Sequence, residues 1–126
     1  MDNKLEKKIK GLGIDIIEIK RIEKSIDNIY FLKKIYSVDE LQLLKSKNAQ
    51  SYSGNFAAKE AFVKALGTGF VNILPNEIEV LRDEKNKPFI KITPKILDSL
   101  KTIDGNHIHI SISHSKEIAQ AICIIE

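Results

Sequence analysis

The sequence predicts an α+β fold, with helices in the first half of the chain and an antiparallel sheet formed mainly by the second half. Within residues 18–36, apolar residues recur every three or four positions, which is the period of a helix. Residues 107–113 instead alternate between apolar and polar, as a strand with one buried face does. The chain has 126 residues, 43% hydrophobic and 29% charged, which is typical of one globular domain. We therefore expect residues 1–126 to form a single domain in which the sheet packs against helices.

Composition and charge exclude several classes of protein. The apolar fraction is too high for a disordered chain, and no apolar run approaches the length of a membrane span. Residues 1–10 lack the apolar core of a secretory signal, and one cysteine, Cys123, excludes an internal disulfide. The net charge of +3 suits an anionic ligand or an acidic partner but is too small to indicate nucleic-acid binding. We expect a cytoplasmic protein with no membrane span and no nucleic-acid partner.

The first predicted element is a strand over residues 9–19, in which β-branched residues surround two glycines and Asp15. The helical periodicity that follows predicts one helix from Glu18 to about Tyr36. We expect this helix to carry lysines and Arg21 between its apolar positions.

Ser37 followed by Glu40 is a capping-box pattern, which predicts a short helix over residues 38–45. A polar break over residues 46–53 is expected to separate it from a longer helix, residues 54–66, that ends at Gly67-Thr68-Gly69.

The last part of the chain predicts a hairpin, a helix and two further strands. The hairpin joins residues 78–82 to residues 88–93, and the helix begins with a proline and covers residues 94–101. Residues 107–113 and 118–125 are expected to pair as antiparallel strands. Because a chain this small has an unfavourable surface-to-volume ratio and many apolar strand residues, we expect a homo-oligomer.

The helix over residues 54–66 carries the first candidate site. Phe56, Glu60 and Lys64 are spaced four apart and share one helix face. Glu60 and Lys64 can form an ordinary solvent-exposed ion pair. Alternatively, the carboxylate binds a metal and the ammonium, one turn later, reaches an adjacent phosphate. Gly67-Thr68-Gly69 either ends the helix or presents backbone N–H groups to an anion.

Two further residues are candidates. Asp15 lies inside an apolar strand, where its charge needs a hydrogen-bonded cap, a cation or a metal. With Glu60 as a second acid, the two carboxylates can share a divalent ion, since Mg²⁺ takes one or two carboxylates plus substrate phosphates. His114 ends an alternating strand, where it can cap the turn or face a ligand.

Three motifs together resemble one family, the holo-[acyl-carrier-protein] synthases, which are the small bacterial type of 4′-phosphopantetheinyl transferase. The motifs are GIDIIEIKR (residues 13–21), FAAKEAFVKALGTG (residues 56–69) and SISHS (residues 111–115). The resemblance implies the fold of that family, a homotrimer with active sites at subunit interfaces. It also implies transfer of phosphopantetheine from coenzyme A to a serine of apo acyl carrier protein, with release of adenosine 3′,5′-bisphosphate, in support of fatty acid biosynthesis.

The resemblance assigns a role to each candidate residue. Asp15 and Glu60 match the family's Mg²⁺ ligands, and Lys64 stabilises charge on the transferring phosphate or relays a proton. Either Glu60 or a water held by the metal takes the serine proton. The expected coenzyme A contacts are Lys64, Gly67, Thr68, Gly69, His114 and Asn55.

The first predicted helix is expected to bind the acidic carrier protein through Arg21, Lys20 and Lys24, with Phe31 adding an apolar contact. Many relatives carry arginine where this chain has Asn55, and that arginine helps to hold a phosphate of coenzyme A. We therefore expect either a lower affinity for the nucleotide or a phosphate-binding cation from Lys45, Lys47 or Lys59. Two other classes of function use the same features. A metal-dependent hydrolase of coenzyme A or a related nucleotide would use the same acids with water as nucleophile. A non-enzymatic trimeric binding module, or a weak nucleic-acid binder, would use the basic helix alone.

Overall fold

The computed structural model describes residues 7–126. Residues 1–6, the start of the segment in which no secretory signal is expected, lie outside this range. Within the described range the strands are β1 (Gly11–Glu18), β2 (Val80–Arg82), β3 (Pro88–Ile90), β4 (Ile108–His114) and β5 (Ile118–Ile125). The α-helices of this range are α1 (Ile19–Glu23), α2 (Ile29–Ile35), α3 (Val38–Leu44), α4 (Ala49–Leu66) and α5 (Pro94–Lys101), and a 3₁₀ turn covers Pro75–Glu77.

Within residues 7–126 the strands form two antiparallel sheets, which confirms the predicted α+β class. The larger sheet has the order β1-β5-β4, so the first strand of the chain pairs with the last. In this register Asp15 lies opposite Ala121, and Gly13 lies opposite Cys123. The predicted hairpin is the second sheet, β2-β3, and the predicted pairing of the last two strands is β4 with β5.

Helix α4 packs across the inner face of the larger sheet, and two glycines of β1 allow it to come very close. A Cβ atom at Gly11 would lie 2.2 Å from the carbonyl oxygen of Ala65. A Cβ atom at Gly13 would lie 2.0 Å from the carbonyl oxygen of Ala61. Backbone atoms cannot move aside as a side chain can, so glycine is required at both positions. The glycines of β1 and the alanines of α4 therefore fix the distance between strand and helix.

The helix predicted over residues 18–36 is wrong in one respect, because the structure divides it into α1 and α2. Asn28 begins the second helix: its Oδ1 accepts hydrogen bonds from the backbone N–H groups of Tyr30 and Phe31. Asparagine, aspartate and serine side chains compete for backbone groups and favour caps over helix interiors. The residues 25–28, Ser-Ile-Asp-Asn, supply three such side chains and interrupt the helix.

The other predicted helix starts were accurate to different degrees. The capping box of α3 is present: Glu40 N–H donates to Ser37 Oγ, and Ser37 N–H donates to Glu40 Oε1. Helix α4 begins earlier than predicted, because Asn48 caps it and residues 49–53, expected as a polar break, continue the helix. Tyr52 and Ser53 are buried there, so packing outweighs the polar sequence.

The opposite face of the larger sheet is apolar and open. Leu12, Ile14 and Ile16 of β1 remain 63%, 52% and 59% exposed, and Ile122 of β5 is 37% exposed. We call these four residues the outer sheet face; no described residue covers it. Four large aliphatic side chains side by side on one face are unusual for a surface that stays in water.

Candidate active site

Asp15 and Lys64 form the centre of the candidate site. Asp15 follows Gly13 on the inner face of β1, at the edge of the sheet, where α4 passes closest. Lys64 Nζ donates to Asp15 Oδ1 at 3.1 Å and to the carbonyl oxygen of Ile14 at 3.0 Å. The Asp15 side chain is 14% exposed, whereas that of Lys64 is 52% exposed. Of the partners expected for the Asp15 charge, the structure supplies a cation whose own side chain still reaches solvent.

Glu60 belongs to the same cluster, one helical turn before Lys64. Burial raises the pKa of Glu60 above its usual range, and the negative charge of Asp15 raises it further. The charges of Lys64 and Arg21 act in the opposite direction and lower the pKa. We call these four residues, Asp15, Glu60, Lys64 and Arg21, the acidic cluster. Asp15 therefore lies close to Glu60 and Lys64, although the first and the other two are far apart in the sequence.

The acidic cluster fits a divalent cation of the hard type. Its donors are two carboxylates, which suit Mg²⁺, and it has no histidine or cysteine of the kind that zinc prefers. Among residues 7–126 no group of three or more His, Cys, Asp or Glu side chains could hold a metal. A cation at Asp15 and Glu60 would therefore have to complete its coordination with water or with substrate oxygens.

The Gly67-Thr68-Gly69 segment ends α4. Gly67 and Gly69 have φ angles of 80° and 67°, a conformation that glycine adopts readily. The backbone N–H groups of all three residues point back to the carbonyl oxygen of Val63, at 3.0, 3.2 and 3.4 Å. Since these N–H groups cap the helix, the structure favours a helix stop over an anion-binding loop. The Thr68 side chain is exposed and lines a cavity of about 300 Å³ beside α5.

His114 lies elsewhere, at the end of β4, and lines a different cavity. This His114 cavity has a volume of about 280 Å³ and opens beside the start of α4 and the β2-β3 hairpin. Its lining includes two cations, Lys47 and Arg82, and no acidic residue among those described. Lys47 was one of the expected phosphate-binding cations. Arg82 was not, because a single arginine at a strand end has no sequence signal that marks it as a ligand.

Asn55 does not present its amide to a ligand, contrary to the expectation that it contacts coenzyme A. It is fully buried, and its Nδ2 donates to Glu40 Oε2 at 3.1 Å and to the carbonyl oxygen of Val80 at 2.9 Å. Lys59 is fully buried too and pairs with Glu40 Oε1 at 2.5 Å. Lys59 is therefore excluded as the source of a phosphate-binding cation. Asn55 and Lys59, which were expected to bind the ligand, are therefore part of the interior.

The residues expected to bind the carrier protein lie on two helices. Lys20 and Arg21 are exposed on α1, and Lys24 is exposed directly after it. Phe31 lies on α2, half-buried against the hydrophobic core. Arg21 connects the residues expected to bind the carrier protein with the acidic cluster. It lies on α1 with the exposed lysines, and its charge also lowers the pKa of Glu60.

The fold and this site define a class. Residues 11–123 match the 4′-phosphopantetheinyl transferase superfamily, and the chain belongs to it. Within that superfamily its relatives are holo-[acyl-carrier-protein] synthases. The holo-[acyl-carrier-protein] synthase of Clostridium tetani is 44% identical over 121 residues, which cover 94% of this chain and 96% of the relative. The family and the enzyme class predicted from the three motifs are confirmed.

Solved structures agree with the sequence comparison. The holo-(acyl-carrier-protein) synthase of Bacillus anthracis, in complex with CoA (3′,5′-ADP), has a TM-score of 0.78 at 37% identity, covering 93% of this chain and 96% of that one. The Helicobacter pylori enzyme, in complex with coenzyme A, has a TM-score of 0.81 at 32% identity, covering 91% of this chain and 99% of that one. Within residues 7–126, no helix combines the length and the apolar character that a membrane span requires.

Proposed function

We propose that this chain transfers 4′-phosphopantetheine from coenzyme A to a serine of apo acyl carrier protein in a Mg²⁺-dependent reaction, in the cytoplasm and in support of fatty acid biosynthesis. The observation that carries the proposal is the acidic cluster, in which Lys64 contacts Asp15 and the charge of Asp15 acts on Glu60. The C. tetani relative is named for this activity, and the B. anthracis and H. pylori structures contain coenzyme A or part of it.

The reaction forms one bond and breaks one bond. The serine Oγ attacks the pyrophosphate phosphorus that bears the pantetheine, and the bond from that phosphorus to the bridging oxygen breaks. Adenosine 3′,5′-bisphosphate leaves with the bridging oxygen, and the serine proton goes to a base. Mg²⁺ held by Asp15 and Glu60 would neutralise charge on the pyrophosphate, which otherwise repels an incoming alkoxide.

We assign the serine proton to Glu60 or to a water that Glu60 orients beside the metal, because a carboxylate within hydrogen-bond reach of the nucleophile can act as a general base. Lys64 is the residue that we assign to the transferring phosphate. Its half-exposed ammonium can move from Asp15 to a phosphate oxygen without breaking any buried contact.

Coenzyme A contacts are proposed in two regions that one chain keeps apart. His114 faces a cavity beside the start of α4, whereas Lys64 and the Gly67-Thr68-Gly69 segment are at its end. Ser51 in the first region and Leu66 in the second are both in α4. The distance between them along the helix axis is about 22 Å, at 1.5 Å per residue. The separation supports a ligand site completed by a second subunit.

The outer sheet face supports the same assembly. We propose that it is buried between subunits of a homotrimer, with the active sites at the subunit interfaces. Arg21 belongs to the acidic cluster, and Lys20 and Lys24 are exposed on or directly after the same helix, where they can bind an acidic carrier. Phe31 adds an apolar contact.

Intact-mass spectrometry of apo acyl carrier protein tests the proposal. The carrier is incubated with this protein, coenzyme A and Mg²⁺, in parallel with a chelator control and with an Asp15→Asn variant. We expect a mass gain of one phosphopantetheine that is absent with chelator and with the variant. Cleavage of coenzyme A without a mass gain on the carrier would identify the alternative, a metal-dependent hydrolase. No change in either molecule would indicate a binding protein without the chemistry.

A further inference from the structure

A network of buried polar side chains connects the interior to the His114 cavity. Glu40 is its centre: Oε1 accepts from Lys59 Nζ, and Oε2 accepts from Asn55 Nδ2 and from the Val80 N–H. Glu40, Asn55 and Lys59 have no exposed surface. Moving any of these side chains would leave a buried polar partner without its hydrogen bond, so the network holds them in place.

The network fixes the orientation of the Asn55 amide. Both hydrogens on Nδ2 have interior acceptors, Glu40 Oε2 and the carbonyl oxygen of Val80, so the Oδ1 atom must face the other way. There it accepts a hydrogen bond from Nη2 of Arg82 at 2.9 Å. Rotating the amide would leave a buried donor facing the guanidinium, which is unfavourable. Arg82 is therefore held by a group that cannot turn.

Arg82 is half-buried and directs the rest of its guanidinium toward the cavity. A guanidinium carries five N–H donors. In residues 7–126, one hydrogen bond joins Nη2 to Asn55, and a second joins Nη1 to the carbonyl oxygen of Leu81 at 3.2 Å. The other three N–H donors have no hydrogen-bond partner among the described residues, and Arg82 lines the cavity together with Lys47 and His114. This arrangement is suited to an anion with several oxygen atoms.

We propose that Asn55 is a positioning residue, which holds Arg82 so that its guanidinium binds the 3′-phosphate of coenzyme A in the His114 cavity. The inference rests on the proposed function. Coenzyme A has two anionic groups, a pyrophosphate and a phosphate monoester at the ribose 3′ position. The acidic cluster suits the pyrophosphate through a metal, whereas a cavity with two cations and no described acid suits the monoester directly. Asn55 thus acts on the nucleotide through Arg82 without touching it.

Steady-state kinetics with two substrates test the inference: coenzyme A, and dephospho-coenzyme A, which lacks the 3′-phosphate. For Asn55→Ala we expect the KM for coenzyme A to rise about tenfold, as for the loss of one charge-assisted hydrogen bond, with kcat within about twofold of the wild type. The KM for dephospho-coenzyme A should not change. Arg82→Ala should give the same pattern, and the double variant should be no worse than Arg82→Ala alone.

Controls separate this positioning role from a structural one. Asn55→Ala removes one of several donors to Glu40, which still accepts from Lys59 and from the Val80 N–H. Asn55→Ser, whose shorter side chain loses the contact with Arg82, is measured beside it and should show the same rise in KM for coenzyme A alone. Lys85→Ala, an exposed cation on the same hairpin that does not line the cavity, should leave both KM values unchanged. A fall in kcat with unchanged KM, or an equal rise in KM for both substrates, would overturn the inference while wild-type transfer continued. Absence of transfer by the wild type would overturn the proposed function itself.

Discussion

The ammonium of Lys64 lies 3.1 Å from Oδ1 of Asp15, and the two side chains come from α4 and β1, 49 residues apart in the sequence. The contact places a movable cation at the same carboxylate that we assign to Mg²⁺. A metal ion at Asp15 would therefore compete with Lys64, and the free energy of its binding would include the release of this ion pair.

Replacing Lys64 with alanine separates its two roles. We expect kcat to fall about 100-fold, as when one electrostatic donor to a transition state is removed. The affinity for Mg²⁺ should stay equal or rise, because the variant leaves two carboxylates without the competing ammonium. Turnover and metal titration by calorimetry measure the two effects. An unchanged kcat would show that Lys64 serves only the ion pair.

Replacing Glu60 with glutamine should remove metal-dependent stabilisation. For the wild type we expect Mg²⁺ to raise the Tm, because a ligand that binds only the folded state stabilises it. The variant should show no such rise and should lose more than about 100-fold in turnover, as for several kcal/mol of lost charge stabilisation. Its metal-free Tm should not fall, since the repulsion with Asp15 is gone. Asp98→Asn, an exposed acid on α5, is the matched control and should respond to Mg²⁺ like the wild type.

The raised pKa of Glu60 also predicts a pH dependence. The folded state keeps a proton on Glu60 above the ordinary pKa of 4.5, where the unfolded chain has already lost it. The contribution of this proton to the stability of the metal-free protein is therefore fully present below pH 4.5 and is lost as pH rises through the folded-state pKa. Mg²⁺ binding requires the proton to leave, so Mg²⁺ affinity should rise over the same window. Thermal unfolding as a function of pH, with and without Mg²⁺, measures both trends, and both should disappear in Glu60→Gln.

Gly13→Ala should destabilise the protein and impair the site. The added Cβ would lie 2.0 Å from the Ala61 carbonyl oxygen, so β1 and α4 would have to separate. We expect a loss of about 3 kcal/mol or more in the free energy of unfolding, together with a large fall in activity. Gly69→Ala, where the Cβ meets open space but φ is 67°, should cost only about 1–2 kcal/mol. Equal losses measured by chemical denaturation would contradict the close approach of strand and helix.

A charge on the outer sheet face should dissociate the proposed trimer. Ile14→Asp places a carboxylate where the subunits would meet, and an unpaired charge in an apolar contact costs several kcal/mol. We expect light scattering to show monomers for this variant and trimers for the wild type. Ile29→Asp on α2 is a closely matched control, because Ile29 is 51% exposed and Ile14 is 52% exposed. Trimers in both variants would show that the outer sheet face is not the interface.

Arg21→Ala should weaken carrier binding more than coenzyme A binding. We expect the KM for apo acyl carrier protein to rise roughly tenfold, about 1.4 kcal/mol, with a much smaller change in the KM for coenzyme A. Lys33→Ala, an exposed cation on α2, is the control and should change neither value much. An unchanged KM for the carrier protein in Arg21→Ala would show that Arg21 of α1 is not part of the carrier-binding surface.

Local signals in the sequence predicted the elements whose boundaries depend on neighbouring residues. Helix α5 was predicted with its observed bounds, Pro94–Lys101, because proline fits the first helical position and marks the start. The capping box of α3 was equally local. The break between α1 and α2 was missed, because apolar periodicity continues through residues 24–28 and hides the cap that Asn28 forms.

The site was predictable only in part, since its geometry depends on contacts between distant segments. The motifs named Asp15, Glu60 and Lys64, and the structure brings them together. Nothing local distinguishes a buried Asn55 from an exposed one on a helix, and its partner Arg82 is 27 residues away. For the same reason the sequence did not reveal that Lys59 is fully buried, whereas the next residue, Glu60, is only half-buried.

The alternation of side chains along β1 has a consequence for how this segment can evolve. Odd positions, from Gly11 to Ile17, face α4 and supply the close packing and Asp15, whereas even positions supply three residues of the outer sheet face. Inserting or deleting one residue before Asp15 would exchange the two sets, turning the carboxylate outward and pressing an isoleucine against the helix. A substitution changes one position and leaves the other face of the strand in place. A change in length alters both faces, because it would remove the proposed metal ligand and the proposed subunit contact in one event.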